Sequence, residues 1–432
     1  MRLRFACCGL AATLLLVSAA TLHAQTEAIT TPSAPITADS PIDTPTPPPI
    51  KTALMPHSIH LADGRSFSLN LPANFDITVA MQGLHRVRFL AQAPDGRIFV
   101  TDMHDLSDNN LGVIYILNGF NAKTGKFASV TPYLRHLHNP NDVAFYTDPA
   151  GQSWIYIPLT DQLVRYKYKA GDLAPTGPPQ ILAGYPAYGL SYKYGGWHLT
   201  RTVAFGRWNG KDRMFVSVGS SCNACLEKEE IRATISVMDP DGKNPQTLAH
   251  NIRNAVGLRF IQSKKTLYAT NMGDDQLGDQ APDDTMFSFA AGAPLNEDLG
   301  WPFCYFENGA EHPDPIWGKL PQAHCTAAPA PYATFAAHSS PLGLEHFDAA
   351  ATPALAGSFL VALHGASYIR IGSGYRVVRI PDATRQPEDF ITGWLANSKV
   401  NGRPCGILRI APDAFLLTDD LSGVIYYIHA KN

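Results

Sequence analysis

The stretch Gly195-Gly196-Trp197-His198-Leu199-Thr200-Arg201-Thr202-Val203-Ala204-Phe205 sets the pattern for the chain. A polar lead-in carrying a histidine precedes a short apolar strand. The turn Gly206-Arg207-Trp208-Asn209-Gly210-Lys211-Asp212 follows, and then a second strand, Met214-Phe215-Val216-Ser217-Val218-Gly219. Strand pairs of this kind recur. They begin at Val87 (turn Pro94-Asp95-Gly96), Val143 (turn Asp148-Pro149-Ala150-Gly151), Val256 (turn Ser263-Lys264-Lys265), Leu342 (a longer turn) and Ile407 (turn Pro412-Asp413-Ala414). β-branched and aromatic residues between turn formers read as strands. The units lie about 50–60 residues apart, except that the fifth lags by about 90. Further runs fill the intervals, such as Gly112–Leu117 and Tyr375–Ile380, so each period has room for about four strands. Six such periods predict an all-β, six-bladed β-propeller, in which closing the ring of blades buries the sheet faces and leaves short edges. A β-sandwich or two smaller β domains is the plainer alternative. Gly423–Ile428 fits a strand that completes a blade with the N-terminal part of the domain. The interval from about Asp275 to Ala336 reads as loops covering one face.

Composition agrees with a large strand-and-turn domain. The chain has 432 residues, 34 glycines and 34 prolines, and no long amphipathic helical run. A formal charge of −3 over this length argues against nucleic acid or a membrane surface as the main partner. Residues 1–24 read as an export signal: Met1-Arg2-Leu3-Arg4, an apolar stretch from Gly9 to Ala20, and Leu22-His23-Ala24 before a cut. The apolar stretch is shorter than the ~20 residues of a membrane span, so no transmembrane span is expected in the mature chain. Residues 25–53, with Thr44-Pro45-Thr46-Pro47-Pro48-Pro49, read as an extended or disordered tether, leaving 54–432 as the folded domain. The expected location is periplasmic or secreted. Export permits disulfides, and Cys222/Cys225 and Cys304/Cys325 are the sensible local pairs, with Cys405 free. Half a zinc site at Cys222-Asn223-Ala224-Cys225 lacks a second CxxC or HxxxH.

The residues ahead of each first strand are polar: His85-Arg86, Asn139-Pro140-Asn141-Asp142, Trp197-His198, Arg253-Asn254, His338-Ser339-Ser340 and Asn401-Gly402-Arg403. In a propeller these six places converge around one axial opening. A ring rich in Arg, His and Asn suits an anionic, hydrogen-bonding ligand. A second cluster, Asn271-Met272-Gly273-Asp274-Asp275 through Asp284, is an oxygen-rich turn that suits Ca²⁺ without EF-hand spacing; an ordinary acidic surface loop is the alternative.

Seven segments then carry a resemblance: Trp197–Arg201, Val218–Asn223, Ile252–Leu258, Gly278-Asp279 with Pro282-Asp283-Asp284, Gly300-Trp301-Pro302, His338–Gly343 and Gly402-Arg403-Pro404. Together, in this order, they resemble the soluble glucose/sorbosone dehydrogenases that use pyrroloquinoline quinone (PQQ) and Ca²⁺, and most closely the sorbosone branch. The resemblance implies a six-bladed propeller with PQQ over the axis. It implies His198 as catalytic base, Arg253 and Asn254 beside the quinone, a calcium turn at Gly273-Asp274, and Arg403 at a cofactor carboxylate. Arg201, Arg370, Trp197 and His364 are further candidates for holding the cofactor. The chain departs from the family at His364–Arg370, where a tryptophan–asparagine–arginine run is common, and at Asn271–Asp275.

The chemistry matches those residue types. Oxidising a sugar hydroxyl removes a proton and a hydride; a histidine can take the proton near neutral pH. Fixed cations stabilise the charge that develops. The expected partners are a sugar or aldehyde substrate and a periplasmic or membrane electron acceptor. No GxGxxG stands between a strand and a helix, which disfavours a nicotinamide enzyme. The competing readings are a propeller that binds a ligand or glycan without redox chemistry, and a metal-dependent hydrolase such as a lactonase.

Overall fold

The strand runs assemble in the order their turns dictate. The computed structural model describes residues 53–187, 198–325, 328–348 and 352–431. The export signal, all but the end of the Thr/Pro tract, and Trp197 lie outside the described residues. Six sheets follow one another, a six-bladed β-propeller; each has four antiparallel strands, and blade three gains a short fifth strand in parallel at its edge. Their innermost strands are Val87–Gln92, Ala144–Thr147, Arg201–Trp208, Ala255–Ile261, Pro341–Phe347 and Pro404–Ala411. Blade six takes its outer strand, Phe75–Met81, from the start of the domain and pairs it with Val424–Ala430, close to the C-terminus.

Six apolar clusters hold the ring, one at each seam between neighbouring blades. At the seam of blades five and six the cluster also takes in Ile59, Leu69 and Leu71. These belong to a hairpin, Leu54–His60 with Ser66–Pro72, that lies outside the six repeated strand pairs. Asn70 and Thr392 exchange backbone hydrogen bonds of 2.8 and 3.0 Å and fix that hairpin to blade five.

The interval 275–336 is more than loop. It holds the third strand of blade four, Asp284–Ala290, and its fourth, Ala333–Phe335. Between them Glu297–Asp298 joins the edge of blade three, and Cys304–Glu307 pairs with Ala310–Pro313. This insertion between two strands of one blade explains the long fifth interval. Cys304–Cys325 lies within it, and Cys222–Cys225 follows the second strand of blade three. Cys405 is free and buried, and burial pushes its thiol up to about 12, which makes it unreactive.

Glycines let the innermost strands of blades four to six touch. A Cβ at Gly257 would lie 2.0 Å from Leu342 O, one at Gly343 2.5 Å from Cys405 O, and one at Gly406 2.4 Å from Arg88 O. Backbone cannot yield as a side-chain end can. Gly257→Ala should therefore cost roughly 1–3 kcal/mol in denaturant unfolding. Gly177→Ala, with nothing within 4 Å, should stay within about 0.5 kcal/mol; equal effects would refute the close-approach account.

Candidate active site

All six lead-ins stand on one face, because each precedes the innermost strand of its blade, and the antiparallel second strands end there too. A repeated device builds that face. Thr101, Thr160, Thr270 and Thr418, at or just past the ends of second strands, donate their hydroxyls to Asn141 O (2.9 Å), Leu199 O (2.9 Å), Leu342 O (2.8 Å) and Arg88 O (2.6 Å) in the next blade. The residue after three of these threonines then accepts backbone N–H groups from its own blade's lead-in. Asp102 holds His85 and Arg86, Asn271 holds Asn254, and Asp419 holds Arg403. Lead-in residues Asn139, His198, His338 and Ser340 all have positive φ, an uncommon backbone state that gathers at functional sites.

One half of the face centres on His198. A Cβ at Gly219 would lie 2.6 Å from His198 Cβ and 2.4 Å from Asn254 Oδ1, so glycine is what lets the two side chains approach. His198 Nδ1 lies 2.8 Å from Ser220 Oγ and 3.1 Å from Ser220 O. Ser220 Oγ donates its own proton to Cys222 O (2.7 Å), so both groups facing Nδ1 are acceptors. Nδ1 therefore carries the hydrogen, and Nε2 is the basic nitrogen. Burial, and then the charge of Arg253, hold the ring well below the ordinary histidine range, which keeps it neutral.

Arg253 is buried and oriented by its neighbours. Its Nε donates to Asn223 O (2.8 Å), and its Nη2 to Asn223 Oδ1 (2.7 Å) and Asp275 Oδ2 (3.0 Å). Asn254 Oδ1 is buried with no hydrogen-bond partner among the described residues. The Gly273-Asp274 turn sits against this half. Gly273 N–H donates to Asp284 Oδ1 (2.7 Å), and Asp284 Oδ2 accepts from Ser340 N–H (2.7 Å); burial raises the Asp284 carboxyl to about 6.

The other half centres on Asp420. Arg86 Nη1 (2.9 Å) and Arg88 Nη1 (2.6 Å) donate to Oδ2, and His364 Nε2–H donates to Oδ1 (2.7 Å). Burial by itself would raise this carboxyl; the His364 ring and the two guanidiniums hold it far below its usual range. Burial keeps His364 neutral, so its Nδ1 can accept from Arg403 Nη1 (3.3 Å). Arg403 also donates to Gly365 O (2.7 Å), Ala366 O (2.9 Å) and Tyr375 Oη (3.1 Å). Arg88 Nε donates to Asn141 Oδ1 (3.0 Å), and Asn141 Nδ2 to Thr202 Oγ1 (3.0 Å), which links the two halves around the axis.

The structure thus groups His198, Arg253 and Asn254 beside the Gly273-Asp274 turn, and it groups His364 with Arg403. Two candidates stand elsewhere. Arg201 is 1% exposed and donates to His198 O, Thr200 O and Pro186 O, so it braces the turn that carries His198. Arg370 is exposed and forms a two-pronged pair with Asp279, joining a blade-five loop to the turn after blade four's second strand. Ser220 and Asn223 fall in the Val218–Asn223 segment, to which the sequence alone assigns no role, and Asp420 lies outside the quoted segments. The recurring Thr-Asp/Asn pair at the ends of second strands marks Asp419, and Asp420 is the next residue along.

No known family profile matches the chain. An uncharacterized protein of Borreliella burgdorferi is 24% identical over 225 residues, which is 50% of this chain and 57% of that relative. Solved structures agree far more widely. The holo form of the pyranose dehydrogenase PQQ domain from Coprinopsis cinerea superposes with a TM-score of 0.65 at 17% identity, over 84% of this chain and 97% of that one. The calcium structure of a Trichoderma reesei family AA12 carbohydrate-active enzyme gives 0.65 at 13%, over 88% and 98%. The PQQ-bound aldose sugar dehydrogenase of Streptomyces coelicolor gives 0.54 at 19%, over 84% and 100%. The chain has the fold of these structures, two of them PQQ-containing sugar dehydrogenases; at such identities the likeness is one of fold.

Proposed function

We infer that the protein is a quinoprotein oxidoreductase that oxidises sugars or sugar-derived aldehydes or alcohols, of the aldose or sorbosone class, with PQQ and Ca²⁺. The observation that carries this reading is a neutral, half-buried His198 beside a fixed Arg253 and the partnerless Asn254 Oδ1, on the axial face of a propeller. An orphaned buried acceptor fits a ligand that brings a donor, and the neighbouring guanidiniums fit an anionic one. Asn254, His364 and Arg403 are the residues we assign to holding PQQ, while Arg201 braces the turn that carries His198. PQQ, when bound, supplies a two-electron acceptor for hydride.

This chain's own residues do the rest. His198 Nε2 takes the substrate hydroxyl proton, and the Ser220 contacts fix the tautomer that makes this possible. Arg253 places a permanent positive charge where negative charge develops. Asp274 already accepts from Asn223 Nδ2 (2.6 Å) and Gln276 N–H (2.6 Å), and no cluster of three carboxylate or histidine groups forms at this turn among the described residues. Ca²⁺ at Gly273-Asp274 would therefore rest on backbone carbonyls and water. Electrons pass to a non-nicotinamide acceptor. The two disulfides support export to an oxidising compartment, and no helix among the described residues is long and apolar enough to cross a membrane.

The test is reconstitution. EDTA-treated protein should show dye-linked oxidation of an aldose or aldehyde only when PQQ and Ca²⁺ are added together, with a matching change in PQQ absorbance. PQQ that leaves the absorbance unchanged, or turnover with neither added, would overturn the reading.

A further inference from the structure

Asn223 sits inside the four-residue loop that the Cys222–Cys225 disulfide closes, and its side chain is buried. Its groups reach three separate segments. Its main-chain oxygen accepts from Arg253 Nε (2.8 Å) and Trp301 Nε1 (3.3 Å). Its Oδ1 accepts from Arg253 Nη2 (2.7 Å) and from Asp275 N–H (2.9 Å), and its Nδ2 donates to Asp274 Oδ1 (2.6 Å). One residue therefore grips the arginine of the blade-four lead-in, the turn after that blade's second strand, and the insertion that ends at Trp301. The same loop reaches His198, because Cys222 O takes the Ser220 hydroxyl that faces the imidazole.

We propose that Asn223 is a positioning residue: held by the Cys222–Cys225 loop, it sets Arg253 and the Asp274-Asp275 turn in a single register. This rests on the function proposed above for Arg253 and that turn. The side chain's bonding explains why asparagine is needed. Two acceptor bonds from Oδ1 and one donor bond from Nδ2 are made at once, and among residues of this size only an amide offers both kinds of atom. The disulfide removes the loop's freedom to turn Asn223 away. Neither sulfur is available as a metal ligand, although Glu227 stands beside them.

The proposal predicts different outcomes for different variants. Asn223→Ala should raise amide exchange at Asp275 by roughly 10-fold or more, since its protecting acceptor is gone. Dye-linked kcat should fall roughly 10–100-fold, with KM moving less, as for other supporting residues. Asn223→Asp keeps the acceptors for Arg253 and Asp275 but turns a carboxylate toward Asp274. Exchange should then rise at Gln276, whose N–H bonds Asp274, while Asp275 stays protected. Cys222→Ser with Cys225→Ser should reproduce the Asn223→Ala pattern in the full-length protein. Unchanged exchange at Asp275 in Asn223→Ala, or unchanged turnover at full PQQ occupancy, would overturn the proposal. If Asn223→Ala does not fold, Asn223→Asp and the cysteine pair decide the matter. Should the wild-type protein take up no PQQ, the functional reading fails, while the exchange data still decide whether Asn223 sets the register.

Discussion

His198→Ala is expected to lower turnover by roughly 10²–10⁴-fold with PQQ still bound, the range for losing a general base. Neither of the described groups beside it can take over: the Ser220 hydroxyl is a poor base, and a guanidinium offers no acceptor. The pH profile adds a signature. Burial first, and Arg253 second, depress the imidazole, so the ring stays neutral below its ordinary pKa near 6.5. The acid limb of kcat/KM should consequently fall below that value in the wild-type protein. It should move upward in Arg253→Met, which removes the repelling charge. An acid limb at or above 6.5 in the wild type, or equal turnover in His198→Ala at full PQQ occupancy, would remove His198 from the mechanism. The same depression makes the fold acid-sensitive: the unfolded chain binds a proton below about 6.5 that the folded ring refuses, so stability declines as pH falls through that region.

Asp420→Ala is the second large effect. Asp420 is fully buried and faces the guanidiniums of Arg86 and Arg88 and the ring of His364. Removing it leaves a buried arginine without its counter-charge, which costs about 3–5 kcal/mol. Denaturant unfolding at neutral pH should show this loss. Because the folded carboxyl is held far below its unfolded value, Asp420 contributes its full stabilisation above about pH 4, and loses it only as pH falls lower. A variant as stable as the wild type at pH 7 would show that Arg88 has another anchor. Arg403 tests the connection: His364 should turn once Asp420 is gone, so PQQ uptake should weaken in any variant that still folds.

The architecture was legible because each blade repeats one local text. Val87–Gln92 and Ile98–Asp102 carry the same strand–turn–strand pattern as Arg201–Trp208 and Lys211–Val218, and turn chemistry marks the hairpins. The hairpin at Leu54–Pro72 has a local signal, Asp63-Gly64 ahead of the alternating Phe67, Leu69 and Leu71; what no local pattern records is its seat on blade five, because Thr392 is more than 300 positions away. The insertion Glu297–Pro313 hid for a related reason: its short strands interrupt a blade instead of starting one. At the candidate site, polar lead-ins pointed to His198, Arg253, Asn254 and Arg403, because position in a repeat is a sequence property. The directions of side chains are not. Arg201 and Arg370 carry the charge a cofactor's carboxylates would want, yet the carbonyls near Pro186 and the carboxylate of Asp279 decide where those guanidiniums lie. Asn223 and Ser220 act through bonds to backbone oxygens of distant segments, which no local pattern records.

Blade six joins Phe75–Met81 to three strands drawn from Pro404–Ala430. The earliest strand of the propeller to leave the ribosome is thus the last to find its partner. Synthesis must deliver five blades before the sixth can form, and until then Phe75–Met81 has an unpaired edge. The open arc also leaves the Arg86–Arg88–Asp420 cluster unmade, because its carboxylate comes from the last strands translated. The candidate site is therefore completed only when the ring closes, and a chain cut short before Asp420 would carry His198 and Arg253 without the other half of the face.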